Sequence, residues 1–258
     1  MIGVYDSGLG GLAVLHRLRQ RMPALDLLYL GDTAHLPYGK KSPSHLLSYA
    51  RDALSFFEKH SAEAVIVACG TVSTVVLETQ RLPRYPFPIF GVARPAAERT
   101  LALGCKRIAI LATEATIRSG VYQALLTGHG AALFSLACPT LVPIAESSAI
   151  DPQNPHLTEA VDRALAPLRD FCPDGILLGC THFPLFAEII QRLYPSTVLI
   201  DCGAAAADLV SADFARSGHG QTLYCITGSH EAFRRSAERI DPCVSDAAIH
   251  KISLTDTR

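Results

Sequence analysis

Short apolar runs rich in Val, Ile and Leu alternate with longer segments of helical period, and the alternation repeats about eight times along 258 residues. That rhythm restricts the chain to an α/β fold with mostly parallel strands, because crossover helices must cover both faces of such a sheet. The runs predict strands at Ile2 to Tyr5, Leu27 to Leu30, Ala64 to Ala68, Ile89 to Val92, Arg107 to Ala112, Ala132 to Leu136, Gly175 to Leu178 and Val198 to Ile200, with a ninth at Leu223 to Ile226. At this length the chain makes one large domain or two of roughly 100–150 residues each.

Ligands of parallel α/β sheets sit outside the carboxyl ends of the strands, so the residues just after each run are where chemistry is expected. Here they are small and polar. Two of these positions carry thiols: Ala68-Cys69-Gly70-Thr71 follows one buried run and Leu178-Gly179-Cys180-Thr181-His182-Phe183-Pro184 follows another. An isolated cysteine is ordinarily a small core residue. Two cysteines delivered alike from strand to helix start are better read as facing each other across one pocket. Exposed amides at such a start lower a thiol pKa from about 8.5 toward the reactive thiolate.

Several other chemistries are excluded. With a net charge of −1 and no run of Lys or Arg, the chain lacks the electrostatic footprint of a nucleic-acid or anionic-membrane partner. It opens directly in an apolar segment without a basic leader, and no apolar span reaches about 18 residues, so a cytoplasmic protein is expected. Its eight cysteines contain no Cys-X-X-Cys. Free thiols are therefore expected, with no metal site. A Cys-X5-Arg phosphatase loop fails, since the sixth residue after Cys69 is Val75 and after Cys180 is Phe186. Lys40 and Lys41 lack the accompanying phosphate loop that pyridoxal phosphate would need. No cofactor is expected.

Around the thiols stand residues with a choice of roles. The loop Asp6-Ser7-Gly8-Leu9-Gly10-Gly11 matches no nucleotide fingerprint and reads as either a tight turn or a ligand cradle. Asp6 at the strand end can orient a thiol, accept its proton or hold a substrate ammonium group. His182 is a helix cap or a proton carrier, and Glu146 a loop carboxylate or its partner. Two proton-transferring thiols on opposite faces of a pocket allow a proton to leave one face of a carbon while another arrives on the other, which inverts it.

On these residues, together with Gly31-Asp32-Thr33-Ala34, Pro37-Tyr38-Gly39, Thr113 with Thr116, and Cys138-Pro139 to Glu146, the chain resembles the glutamate racemases of the aspartate/glutamate racemase superfamily almost end to end. The resemblance implies two similar α/β domains, residues 1–93 plus 205–258 and residues 94–204, with mainly parallel sheets and the active site in the cleft between them. It implies a cofactor-independent interconversion of L- and D-glutamate, supplying D-glutamate for peptidoglycan, and a homodimer. By similarity Cys69 and Cys180 are the two acid/bases, Asp6 assists Cys69, and His182 with Glu146 assists Cys180. Ser7, Tyr38, Gly39, Gly70, Thr71, Thr116 and Thr181 fall at substrate-contact positions.

One position departs from the family, which reads Cys-Asn-Thr where this chain has Cys69-Gly70-Thr71. A hydrogen bond to a charged group is typically worth about 1.5–3 kcal/mol. Gly70 is thus expected either to weaken substrate contact, to open room for another amino acid, or to mark a binding homologue with weak or lost turnover.

Overall fold

In the first strand, β1 (Ile2–Asp6), the side chains alternate between two cores. Ile2 and Val4 join one cluster and Tyr5 another, as the two-residue period of a strand buried on both faces requires. The computed structural model describes residues 1–80, 82–147, 150–213 and 218–254. The remaining strands are β2 (Leu27–Gly31), β3 (Ala64–Val67), β4 (Ile89–Gly91), β5 (Arg107–Ala112), β6 (Ala132–Ala137), β7 (Gly175–Leu178), β8 (Val198–Asp201), β9 (Thr222–Ile226) and β10 (Ile249–Lys251). All nine expected runs are strands, with ends shifted by a residue at most. Ala68 and Val92 fall just outside theirs, and β10 was not anticipated: it is a three-residue edge strand with two exposed residues, so no apolar run marks it.

The strands form two wholly parallel sheets, ordered β10-β9-β2-β1-β3-β4 and β6-β5-β7-β8. The four-strand unit β2-β1-β3-β4 and the unit β6-β5-β7-β8 share one order. The chain therefore uses the same winding twice, and the faint sequence similarity around residues 69 and 180 reflects equivalent places in it. In each unit the order reverses at the first strand, which opens a crevice beside the third. Cys69 lies just beyond β3 and Cys180 just beyond β7.

One continuous core lies between the sheets. Ile2, Val4 and Tyr29 of the first sheet share a cluster with Ile108, Ile110, Leu177 and Ile200 of the second, and the helices Gly11–Arg21, Ala93–Ala102 and Cys202–Asp213 fill the space between them. The last of these is rich in alanine and packs closely, since a Cβ on Gly203 would lie 2.7 Å from Val14 Cγ2. At its solvent edge the Asp208 carboxylate accepts from Arg17 and Arg99 and lies 3.0 Å from Arg21, joining all three helices. The return of the chain to the first sheet is held by Arg19, which donates to Asp241 at 2.8 Å and to the Tyr224 hydroxyl at 2.8 Å. No helix among the described residues is long and apolar enough to cross a membrane.

Gly3 shows how tightly the first sheet is packed. A Cβ there would lie 2.5 Å from Phe57 Cδ1, and Phe57 is itself fully buried. Gly3→Ala is expected to cost about 1–3 kcal/mol through overpacking, read as a lowered midpoint of urea unfolding with an unchanged slope.

Candidate active site

Between the carboxyl ends of the two sheets lies a partly open cleft with a cavity of about 70 Å³. Cys69, Ser7, Tyr38, Gly39, Gly70 and Thr71 line it from the first sheet; Cys180, Thr181, His182 and Thr113 line it from the second. Lys40, Glu114, Pro139 and Pro143 complete its rim. Both thiols thus face one space. Among the predicted contact residues, Thr116 stands back from the lining. Its hydroxyl accepts from Thr113 at 3.0 Å and Thr74 at 3.4 Å, while Thr113 bonds Thr71 across the cleft at 3.0 Å. The signal for Thr113 was its place directly after β5.

Cys69 sits at the start of the helical turn Gly70–Val72, which widens into the π turn Ser73–Leu77. Its Sγ lies 3.5 Å from Ser7 Oγ. The expected lowering of its pKa does not occur. Burial and then the nearby Asp6 carboxylate push the thiol up to about 12, outweighing the opposing hydrogen bonds from Ser7 and the Val72 amide. One amide of a short turn and one hydroxyl do not compensate the loss of water around a thiolate.

Cys180 lies on the short stretch between β7 and the turn Phe183–Phe186, with its Sγ 3.8 Å from His182 Nδ1. His182 Nε2 lies 2.5 Å from Glu146 Oε1, at the end of the helix Leu141–Glu146. Glu146 is therefore not a solvated loop carboxylate. Burial works against a charge on His182, yet the hydrogen bonds to Cys180 and Glu146 hold its pKa well above the ordinary imidazole range. The chain Cys180–His182–Glu146 is continuous.

Asp6 is fully buried. Its Oδ1 accepts from the Gly8 amide at 2.8 Å and its Oδ2 from Thr181 Oγ1 at 3.2 Å. Burial raises its pKa, against the pull of His182 and those two bonds. Asp6 thus touches the cysteine-bearing turn of the opposite sheet through Thr181, while its effect on Cys69 is through space. The loop beyond it packs onto the second sheet's groups: Leu9 N donates to Glu146 Oε1 at 3.1 Å, and a Cβ on Gly8 or Gly10 would come under 3.0 Å from Glu146 or from Thr181 and His182. These glycines are close-approach positions against side chains of the second sheet, a packing role that neither reading of the loop included.

Tyr38 is seated by Asp32, a wholly buried residue that sequence reasoning passed over as a site residue. Its carboxylate accepts from Tyr38 Oη at 2.5 Å and Thr227 Oγ1 at 2.6 Å, with His35 Nδ1 at 2.8 Å. The signal was its position directly after β2, one residue beyond Gly31, which pairs with Asp6 at the end of β1.

The family model for Asp/Glu/hydantoin racemases matches residues 10–210. A glutamate racemase of Desulforudis audaxviator is 37% identical over 253 residues, covering 92% of each chain. The crystal structure of glutamate racemase from Thermus thermophilus in complex with beta-chloro-D-alanine superposes with a TM-score of 0.85 at 33% identity, over 99% of this chain and 97% of that one. The Escherichia coli glutamate racemase, in complex with L-glutamate and the activator UDP-MurNAc-ala, gives 0.80 at 28% identity, over 98% and 97%.

The raised pKa of His182 fixes a sign. Its folded value exceeds the unfolded value of about 6.5, so its contribution to stability is fully present below that pH and is lost as pH rises through the folded value. Glu146→Gln removes the carboxylate, and the imidazole pKa should fall, read from His182 side-chain NMR shifts across a pH titration. An unmoved His182 titration would show that Glu146 does not hold the charge.

Proposed function

Since the chain belongs to the Asp/Glu/hydantoin racemase family, we propose that it interconverts L- and D-glutamate by a cofactor-independent, two-cysteine proton transfer, supplying D-glutamate for peptidoglycan. The observation that carries this reading is that Cys69 and Cys180, delivered from equivalent strands of two like-wound sheets, line one cleft. That relatives are named for glutamate supports it as the substrate. The sheet membership of the strands supports a division into residues 1–93 plus 205–258 and 94–204, of which residues 81, 148–149, 214–217 and 255–258 lie outside the described ones.

In the proposed reaction a thiolate on one side takes the α-proton: the C–H bond breaks, an S–H bond forms, and the electron pair remains on carbon and its carboxylate. The opposite thiol then gives its proton to the other face and becomes the thiolate. General acid or base help of this kind contributes about 10²–10⁴-fold per group. His182 and Glu146 carry the proton economy of Cys180, being in hydrogen-bonded sequence with it. Asp6 acts on Cys69 through its field. Ser7, Thr71, Thr113 and Thr181, with the Tyr38–Gly39 wall, line the space where a dicarboxylate would lie. The Ser7 hydroxyl keeps its proton free to donate, while the threonines would have to turn theirs from Asp6, Thr116 and Thr113 toward the substrate. Thr116 supports Thr113 from behind.

The test follows the α-proton of L- and D-glutamate separately by proton NMR in D2O while circular dichroism follows inversion. Exchange with inversion from both enantiomers is expected. Cys69→Ser and Cys180→Ser are each expected to lose racemisation by about 10²–10⁴-fold while retaining exchange from a single enantiomer, a different one for each variant. Binding of glutamate without exchange in the unmodified protein would overturn the assignment.

A further inference from the structure

Gly70 was expected either to lose a contact or to open space in the cleft. The space is not there. A Cβ built on Gly70 would lie well under 3.0 Å from the Gly179 carbonyl oxygen, 3.4 Å from the Gly179 carbonyl carbon and 3.6 Å from Cys180 Cα. The atoms it meets are main chain of the opposite sheet, directly preceding the second thiol. They cannot retreat. The Gly179 amide donates to Leu111 O at 2.8 Å, and a Cβ on Gly179 would lie 2.8 Å from Cε2 of the fully buried Tyr122. Gly179 is packed between Tyr122 behind and Gly70 in front, so in this backbone a side chain at position 70 would push the two thiol-bearing turns apart, and a chain carrying the family's Asn there must set that gap differently.

We propose that Gly70 is a spacing residue: by letting the Cys69 turn and the Cys180 turn meet main chain to main chain, it sets how closely the two thiols approach a carbon held between them. The proposal rests on the racemase reading above and deepens it. Two-sided proton transfer is sensitive to this gap in a way that one-sided transfer is not. The thiol that removes the proton can exchange it with solvent and return a deuteron to the same face, whatever the width of the cleft. Delivery to the opposite face needs the second thiol within reach. A wider gap therefore shifts the outcome from inversion toward exchange with retention.

Gly70→Ala and Gly70→Asn are compared with the unmodified protein in D2O, measuring inversion and α-proton exchange from each enantiomer. Both variants are expected to lose about 10–10²-fold in kcat for inversion, with a much smaller change in KM and a raised ratio of retentive exchange to inversion. If the residue mattered only as a missing side-chain amide, Gly70→Asn would gain activity while Gly70→Ala matched the unmodified protein, and that result overturns the spacing role. A second readout does not depend on turnover. Bifunctional methanethiosulfonates of graded span are offered to each protein, and the Cys69–Cys180 product is identified by peptide mapping, apart from products of the exposed Cys172 and Cys243. The unmodified protein should be bridged by shorter reagents than Gly70→Ala; equal spans overturn the proposal even if glutamate proves not to be the substrate. Should Gly70→Ala not fold, bridging of the unmodified protein by the shortest reagents is the expected result, and bridging by long ones alone refutes it. An unmodified protein that binds glutamate without exchange brings down the racemase reading instead.

Discussion

The arrangement depends on removing water from around Asp6, His182, Glu146 and two thiols at once. A charge taken into a protein interior without a partner is too costly to persist, so each such group must find a hydrogen bond or give up its charge. His182 finds Glu146 on one side and Cys180 on the other, and their hydrogen bonds raise its pKa against burial; Asp6 finds Thr181 and the Gly8 amide but has its pKa raised; Cys69 has only Ser7 and one amide, and burial pushes its pKa up to about 12. The two thiols thus live in unlike surroundings, one beside the His182 imidazole and one in the field of Asp6. These partners come from opposite sheets, so the site is assembled only when the two sheets are in their observed relation.

That relation is maintained by small residues on the site side and by charge on the far side. Near the cleft, glycines at positions 8, 10, 70 and 179 bring main chain against catalytic groups or against main chain. Away from it, three arginines from two helices converge on Asp208 of a third. Those pairs are partly exposed, so they orient the helices more than they stabilise them. The shared core, with Val4 and Leu177 in one cluster, does the rest.

Much of this was legible in the sequence because burial on both faces writes strands as uninterrupted apolar runs. Nine strands were readable for that reason, and β10 was not, since an exposed edge strand such as Ile249–Lys251 carries no such mark. The thiols, Asp6 and His182 could be found from position alone, at or within a few residues of the carboxyl ends of strands. What position could not reveal was the environment. The helix-start argument predicted a lowered thiol pKa for Cys69, but the depth of burial is a tertiary quantity that no local motif carries. Asp32 and Thr113 went without a role for a related reason: each acts by bonding a residue far away in sequence, Thr227 in one case and Thr71 in the other. The close approach of Gly70 to Gly179 is likewise invisible until both turns are in place.

The contact between Gly70 and Gly179 also has an entropic side. Ordering a long side chain at a closing interface costs up to about 1.5–2 kcal/mol of lost rotamer freedom. Glycines have no rotamers to lose. Where the two turns meet, the cleft closes at no side-chain entropy cost, and its width is set by the rigidity of strands and tight turns rather than by an average over side-chain conformations. Heating, which broadens such averages, has correspondingly little purchase on the dimension across which a proton would have to be handed over.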